Sequence, residues 1–459
     1  MADLPVRLRH AGGRSRGRRR RVPRRAVPGK RVVFARPREP VCSAAPQCPI
    51  RFVPTRVRLE NVGPVARSPV KRRRVRVLHV VHRLDYGGLQ RLVGAIVSLI
   101  DHDRFDSHVM TMTHFGPLAE GLAAFAELHQ DESIPRFSMV WPRRASGKIR
   151  SIAPDVVHTH SGVWYKASLA ARRAGVPRII HTDHGRPHPD PWVARFLDGL
   201  AARRTDVVVA VSEALRRQLA DTVVPDPARI RVIVNGVDTS RFGPRAVNGA
   251  VRRELGIPAG VPIIGSVGRL DPIKGYDVMI DAFAALRASW MGGDGPAPVL
   301  LLVGDGPERA RLAALIEQSG LRDVARLAGW RKDVERVYPL LDVFTLSSWS
   351  EGTSLGLLEA MSAGVCPVVT AVGGSPAVLG GRLRERLVQP GDRAALAEAW
   401  RGALTQRERR EADGAAARER VQQAFSLDAM VRRYERLYAG EDGASTAGVP
   451  GHGEGGAST

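Results

Sequence analysis

Glu351 and Glu359 stand eight positions apart, with Gly352-Thr353-Ser354 between them. Glu351 falls in a loop. Glu359 falls about a turn and a half past a Thr353/Ser354 helix cap. At about 1.5 Å rise per residue, Ser354 to Glu359 spans roughly 8 Å, the length of a diphosphate with its flanking sugar atoms. Between the acids lie the free N–H groups of a helix N-terminus, around Thr353, Ser354 and Leu355, which favour anions. The stretch offers two acceptors for hydroxyls with a phosphate cradle between them.

A second constellation is Gly268-Arg-Leu-Asp-Pro-Ile-Lys-Gly275. Arg269 and Lys274 share a glycine-flanked loop at a strand's carboxyl end, where ligands bind in open parallel sheets. Both can reach one diphosphate and neutralise a leaving nucleotide. Taken alone, a solvated loop explains the pattern equally well. Gly87-Gly88 lets a backbone approach a ligand closely, or makes a plain turn. Val303-Gly-Asp-Gly-Pro307 resembles the start of a dinucleotide fingerprint, but Arg309 stands where its third small residue belongs. Five of the 13 histidines fall between 158 and 188. Too few partners follow them to complete a metal site, so no metal is expected. His158 and His181 have strand-like neighbours and suit a polar network. His184, before Gly185 at a strand end, is best placed to face a cleft.

The elements that must position these residues alternate. Val75–Val81 reads as a buried strand, followed by the glycine turn and a helical period from Gln90 to Ile100. His108–Thr113, Asp155–Thr159, Arg178–His181 and Val207–Val211 are strand candidates, with helices at 164–174, 191–203 and 213–220. Residues 241–260, with Gly243-Pro244 and Asn248-Gly249, read as a hinge. Pro262–Val267 opens a second series. It continues with helices at 276–288 and 308–319, a strand at Val299–Val303, and the Glu351 stretch. Ser426–Tyr438 is a closing amphipathic helix. Parallel sheets with crossover helices are the expected result.

The chain has 459 residues, with 70 Lys/Arg against 46 Asp/Glu and a net charge of +24. Residues 1–76 carry 23 Lys/Arg and 3 Asp/Glu; the other 383 carry 47 and 43. The basic character therefore belongs to the head. Residues 1–74 are Arg/Pro-rich and read as disordered: a tail, a sequence preceding a true start near Val70, or an adhesive for anionic lipid or nucleic acid. No apolar run approaches the roughly 18–20 residues of a membrane span, and no secretory leader is evident. Cys42, Cys48 and Cys366 make no disulfide framework, which suits a reducing cytoplasm.

The combination resembles the retaining nucleotide-sugar glycosyltransferases of family 4, with bacterial exopolysaccharide-type members nearest in texture. The resemblance covers roughly residues 75–440. It rests on Gly268-Arg269 with Lys274-Gly275, Val303-Gly-Asp-Gly306, Glu351 with Glu359 ahead of Ala363-Gly364, and Asn235-Gly-Val-Asp238. It implies the GT-B fold, an α/β architecture of two Rossmann-like domains facing across a cleft. The expected division is a disordered head (1–74), an acceptor domain (75–245), a nucleotide-sugar domain (246–425), a crossover helix (426–440) and a disordered tail (441–459).

By the same resemblance, Glu351 binds the donor sugar and Glu359 the ribose. Arg269 and Lys274 stabilise the departing diphosphate. Gly87, Gly88 and Gly268 lie beneath the phosphates, and Thr353, Ser354 and Leu355 hold sugar and phosphate. His184 sits beside sugar and acceptor, and Gly329-Trp-Arg331 near the base. One departure is visible: the family usually carries an acid near Pro376, and here Ala377 follows. The implied activity is metal-independent, cofactor-free hexosyl transfer from a nucleoside diphosphate sugar to a glycan or polyprenyl-linked acceptor. The setting is the cytoplasm, with peripheral contact to anionic membrane and no nucleic acid expected as a partner. Competing readings are a nucleotide-sugar 2-epimerase on the same fold, a histidine-rich metallohydrolase, and nucleic-acid or membrane binding through the head.

Overall fold

The computed structural model describes residues 73–85, 87–131, 142–185, 191–291 and 295–441. The expectations for the head, its cysteines and the tail lie outside these residues. The described residues build two wholly parallel sheets. The first contains β1 (Val75–Val81), β2 (Phe105–Thr111), β3 (Glu127–Gln130), β4 (Val156–His160), β5 (Arg178–Asp183), β6 (Val207–Ala210) and β7 (Ile230–Val232), in the order β3-β2-β1-β4-β5-β6-β7. The second contains β8 (Ile263–Val267), β9 (Val299–Val303), β10 (Ala325–Gly329), β11 (Val343–Leu346), β12 (Cys366–Thr370) and β13 (Leu387–Val388), in the order β10-β9-β8-β11-β12-β13. These are two Rossmann-like α/β folds, as the sequence led us to expect.

Each sheet reverses its winding once, between β1 and β4 and between β8 and β11. Ligands of such sheets bind at that switch point, outside the carboxyl ends of the strands. Gly87-Gly88 follows β1, and the Arg269/Lys274 loop follows β8. The Glu351 stretch follows β11. The candidate residues therefore gather at the two switch points.

Inner strands such as β6 and β9 are continuous apolar runs, as expected where helices cover both faces. Leu300, Leu301 and Leu302 are all fully buried. Helix Leu427–Ala439 comes after the second sheet yet packs on the first. Its Met430, Val431, Tyr434, Leu437 and Tyr438 share one core with Val77, Val156 and Val209. Burial of each such side chain contributes about 1.5–3 kcal/mol. The return is pinned by Val237 N–H to Phe425 O (2.9 Å) and Leu427 N–H to Val237 O (3.0 Å).

One expectation changes in detail. The 241–260 segment holds a helix, Gly249–Glu254. Asn248-Gly249 reads as a turn signal, but the Asn248 Oδ1 accepts from the N–H groups of Ala250 (3.0 Å) and Val251 (3.3 Å) and so caps a helix.

The Gly304-Asp-Gly306 run has a packing role. Leu270 N–H donates to Asp305 O at 3.0 Å, and Gly268 N–H donates to Val303 O at 2.9 Å. The loop after β8 thus lies flat on the loop after β9. Gly304 has φ 145°, and a Cβ there would sit 1.8 Å from the Gly268 carbonyl oxygen. Gly304→Ala should therefore lower the unfolding free energy by more than about 2 kcal/mol, read as an earlier denaturant midpoint. An unchanged midpoint would show that the loop yields freely.

Candidate functional site

Three loops of the second sheet converge. Ser347 Oγ donates to the carbonyls of Lys274 (3.1 Å) and Gly275 (2.8 Å), and Trp349 N–H donates to Ile273 O at 2.8 Å. These bonds fasten the loop after β11 to the loop after β8. Thr370 Oγ1 donates to Ser348 O (2.9 Å), and Gly374 N–H donates to Gly352 O (2.8 Å), which adds the loop after β12.

Within this frame Lys274 Nζ lies 2.7 Å from Glu351 Oε1, and Ser348 Oγ donates to the same oxygen at 2.6 Å. Helix Leu355–Ser362 begins four residues after Glu351 in sequence. It is capped by Ser354, whose Oγ accepts from Leu357 N–H at 3.3 Å. The structure thus brings together the first acid, one cation and a helix N-terminus. Arg269 is separate: it is 68% exposed at its side chain and lies 3.8 Å from Asp271. Arg331, from the segment expected near a base, is held by Glu254 and Asp333.

Glu359 is 3% exposed. Tyr338 Oη donates to its Oε2 at 2.6 Å, and Arg91, from the helix after Gly87-Gly88, pairs with its Oε1. Burial raises the Glu359 pKa; Arg91 and Tyr338 oppose that rise. The second acid therefore ties the two halves together in this structure. Neither Arg91 nor Tyr338 carried a signal in the sequence. An arginine inside an amphipathic helix and a tyrosine before a strand look ordinary until Leu355 is placed opposite Gly88. A Cβ on Gly88 would lie 3.4 Å from Leu355 Cδ1.

The Glu351–Ser354 loop meets the first sheet directly. Thr353 Oγ1 donates to Val211 O at 2.6 Å, and Asn235 Nδ2 donates to Thr353 O at 3.0 Å. Gly352 approaches His184 so closely that a Cβ would lie 2.4 Å from the His184 carbonyl oxygen. His184 is thus at the junction. Its Nε2 lies 3.3 Å from His160 Nδ1, and His160 Nε2 lies 3.3 Å from His79 Nδ1. Burial pushes the His184 pKa down to about 4 and holds His160 well below its ordinary value. The row is neutral at pH 7. A proton on His184 Nδ1 would require each upstream Nδ1 to donate to the next ring. His158 bonds Tyr438 Oη and Thr182 Oγ1, both at 2.7 Å, and His181 stacks on Trp164 at 3.9 Å. Both are the polar-network residues expected. A cavity of about 330 Å³ lies elsewhere, lined by Arg104, Arg432, Arg433, Glu435 and Arg436.

Comparison with known proteins agrees with this architecture. Residues 86–241 match the model of Glycosyltransferase Family 4, and residues 248–420 match that of Glycosyl transferases group 1. A 2-deoxystreptamine N-acetyl-D-glucosaminyltransferase of Streptomyces fradiae is 33% identical over 321 residues, covering 65% of this chain and 75% of its own. A UDP-Gal:alpha-D-GlcNAc-diphosphoundecaprenol alpha-1,3-galactosyltransferase of Escherichia coli is 27% identical over 324 residues, covering 66% and 81%. The structure of Anabaena HepE in complex with UDP and glucose superposes with a TM-score of 0.68 at 20% identity, over 80% of this chain and all of that one. The chain belongs to this glycosyltransferase family, and its fold is GT-B. It is a glycosyltransferase enzyme.

The Arg91–Glu359 pair makes a pH-dependent contribution. Without Arg91, Glu359 would be a buried acid with a still higher native pKa. The native state would then bind a proton more readily than the unfolded chain, so stability would fall as pH rises above the ordinary carboxylate range. Arg91→Ala should cost about 1–3 kcal/mol near pH 8 and distinctly less near pH 5, read by thermal or urea unfolding at both pH values. An equal loss at both would mean that Glu359 is not the group responsible.

Proposed function

We propose that this enzyme is a retaining hexosyltransferase using a nucleoside diphosphate sugar, with a lipid-linked or cell-surface glycan as acceptor. The observation that carries the reading is the Lys274–Glu351 pair beside the capped N-terminus of helix Leu355–Ser362. Lys274 and the N–H groups at Thr353, Ser354 and Leu355 face developing phosphate charge; Glu351 takes the sugar hydroxyls. Arg269 is a mobile-length cation that can fold onto the diphosphate. Gly87, Gly88 and Gly268 allow backbone approach, and His184 stands beside sugar and acceptor.

Retention accords with front-face attack, in which the leaving phosphate helps deprotonate the acceptor. That route needs cations and donors at the phosphate more than a free nucleophilic carboxylate, and Glu351 is engaged by Lys274 and Ser348. No metal or other cofactor is needed at the donor. A relative named for UDP-Gal and an alpha-linked product on a diphosphoundecaprenol acceptor supports the same choice. The 2-epimerase, metallohydrolase and head-mediated nucleic-acid readings are not favoured by the family match.

Glu351→Gln should leave the fold intact and cut kcat/KM for transfer by roughly a hundredfold, since a lost hydrogen bond to a charged group is worth about 1.5–3 kcal/mol. Full transfer activity in that variant would sink the assignment. The screen should offer polyprenyl-diphosphate sugars and small aminocyclitols as acceptors, with the product anomer read by NMR. An inverted product would remove the retaining part alone.

We place the enzyme in the cytoplasm, peripherally on an anionic membrane. No helix among the described residues is long and apolar enough to cross a membrane. Helix Trp192–Ala202 instead exposes Trp192 (77%) and Phe196 (63%), with Val193 and Arg195 also exposed beside them. An aromatic pair beside arginine suits an anionic lipid interface. Trp192→Ser with Phe196→Ser should release the protein from phosphatidylglycerol vesicles while soluble-acceptor transfer persists. Undiminished vesicle binding would move the contact to another surface.

A further inference from the structure

Among the described residues, two histidine groups could hold a metal ion: His79 with His158 and His160, and His108 with His129 and Glu127. The first is unsuited. All three rings are buried, and both nitrogens of His158 already bond Tyr438 and Thr182. In the second the two rings are also buried, but Glu127 is exposed, and the partner of His108 Nδ1 is His129, itself a member of the group.

His108 lies on β2, and Glu127 and His129 lie on the neighbouring edge strand β3. The register pairs His108 with Glu127 and Met110 with His129. In a parallel pair, residues in register and residues two apart share a face. The three side chains therefore converge by construction. His108 Nδ1 lies 3.0 Å from His129 Nε2 and 3.9 Å from Glu127 Oε2. Ligands at about 2.0–2.1 Å from a tetrahedral zinc ion stand roughly 3.3 Å apart, which matches this spacing.

A carboxylate also sets the state of the ligand. His108 Nε2 lies 3.3 Å from Asp106 Oδ2, and Arg76 Nε donates to that same oxygen at 2.9 Å. A carboxylate only accepts, so the His108 proton is on Nε2 and Nδ1 presents a lone pair. Carboxylate-oriented imidazoles of this kind are usual behind zinc ligands. His129 would move its proton from Nε2 to Nδ1 on binding, with no net change in charge. Glu127 is 63% exposed at its side chain and gives the ion a path in.

We propose that His108, His129 and Glu127 form a site for a divalent transition cation, zinc best of all, with a fourth position left to water. Bound there, the ion clamps the four-residue edge strand β3 to β2. The site is separate from the residues assigned to transfer, and its test reads metal and stability.

The test uses the full chain without a histidine tag, stripped with chelator and then titrated with zinc, followed by elemental analysis and thermal melting. Cobalt(II) serves as the optical probe. One equivalent of zinc should bind, raise the melting temperature and give tetrahedral cobalt bands. His129→Ala and Glu127→Gln should each weaken binding at least tenfold, and Asp106→Asn should weaken it by roughly 10–100-fold. His114→Ala, an exposed histidine elsewhere, should bind as the wild type does. Glu127 is exposed, so its variant keeps the test valid if His129→Ala does not fold. Unchanged affinity in both ligand variants would overturn the site. So would no uptake by the wild type at millimolar zinc, or loss of zinc only when Cys42 and Cys48 are replaced.

Discussion

A carboxylate taken out of water costs several kcal/mol unless a partner and hydrogen bonds meet it. Glu359 is such a group, and its partners come from both halves of the molecule. Arg91 reaches it from the helix that follows β1, and Tyr338 from the turn that precedes β11. That requirement brings the two switch points face to face. Gly88 then lies against Leu355, Thr353 bonds Val211, and Gly352 meets the His184 carbonyl with no room for a side chain. The first turn of helix Leu355–Ser362 is fixed at the junction as a consequence.

Around that turn the remaining charges are arranged in advance. Lys274 and Glu351 face each other because Ser347 and Trp349 bind the backbone of the Lys274 loop. Groups held this way need little reorganisation when charge develops on a leaving diphosphate, which is where such sites gain most. Arg269 is exposed and lightly held, so the role proposed for it requires that it move in. His184 is backed by His160 and His79, a neutral row whose tautomers are coupled and which adds no charge.

Much of this was legible because it depends on local pattern. The runs Val75–Val81, Val299–Val303 and Tyr276–Ala288 are strand or helix in the structure with the bounds read from their periodicity. Glu351 and Lys274 were each legible as site candidates, Lys274 from its glycine-flanked loop after a strand, but their direct contact was not. What escaped was decided by tertiary contact. Edge strand Glu127–Gln130 has no apolar run, since one edge strand needs little burial. Helix Arg407–Ala424 buries only Asp413, Gly414, Ala417 and Val421, too few for a visible stripe. Arg91 gained its meaning from a residue 268 positions away. For Glu359 the sequence offered a hydroxyl acceptor; the structure adds that its carboxylate is bonded by Arg91 and Tyr338.

The central claim is that this junction takes a nucleoside diphosphate sugar. Its most direct test is a thermal-shift screen of UDP-, GDP- and ADP-sugars against the wild type and Glu351→Ala. A ligand that binds only the native state raises its melting temperature. The account predicts that one nucleotide series stabilises the wild type, and that the variant keeps the gain from the free diphosphate but loses the increment due to the sugar. A folded wild type stabilised by none of them, or a variant that responds to the full donor as the wild type does, would contradict it.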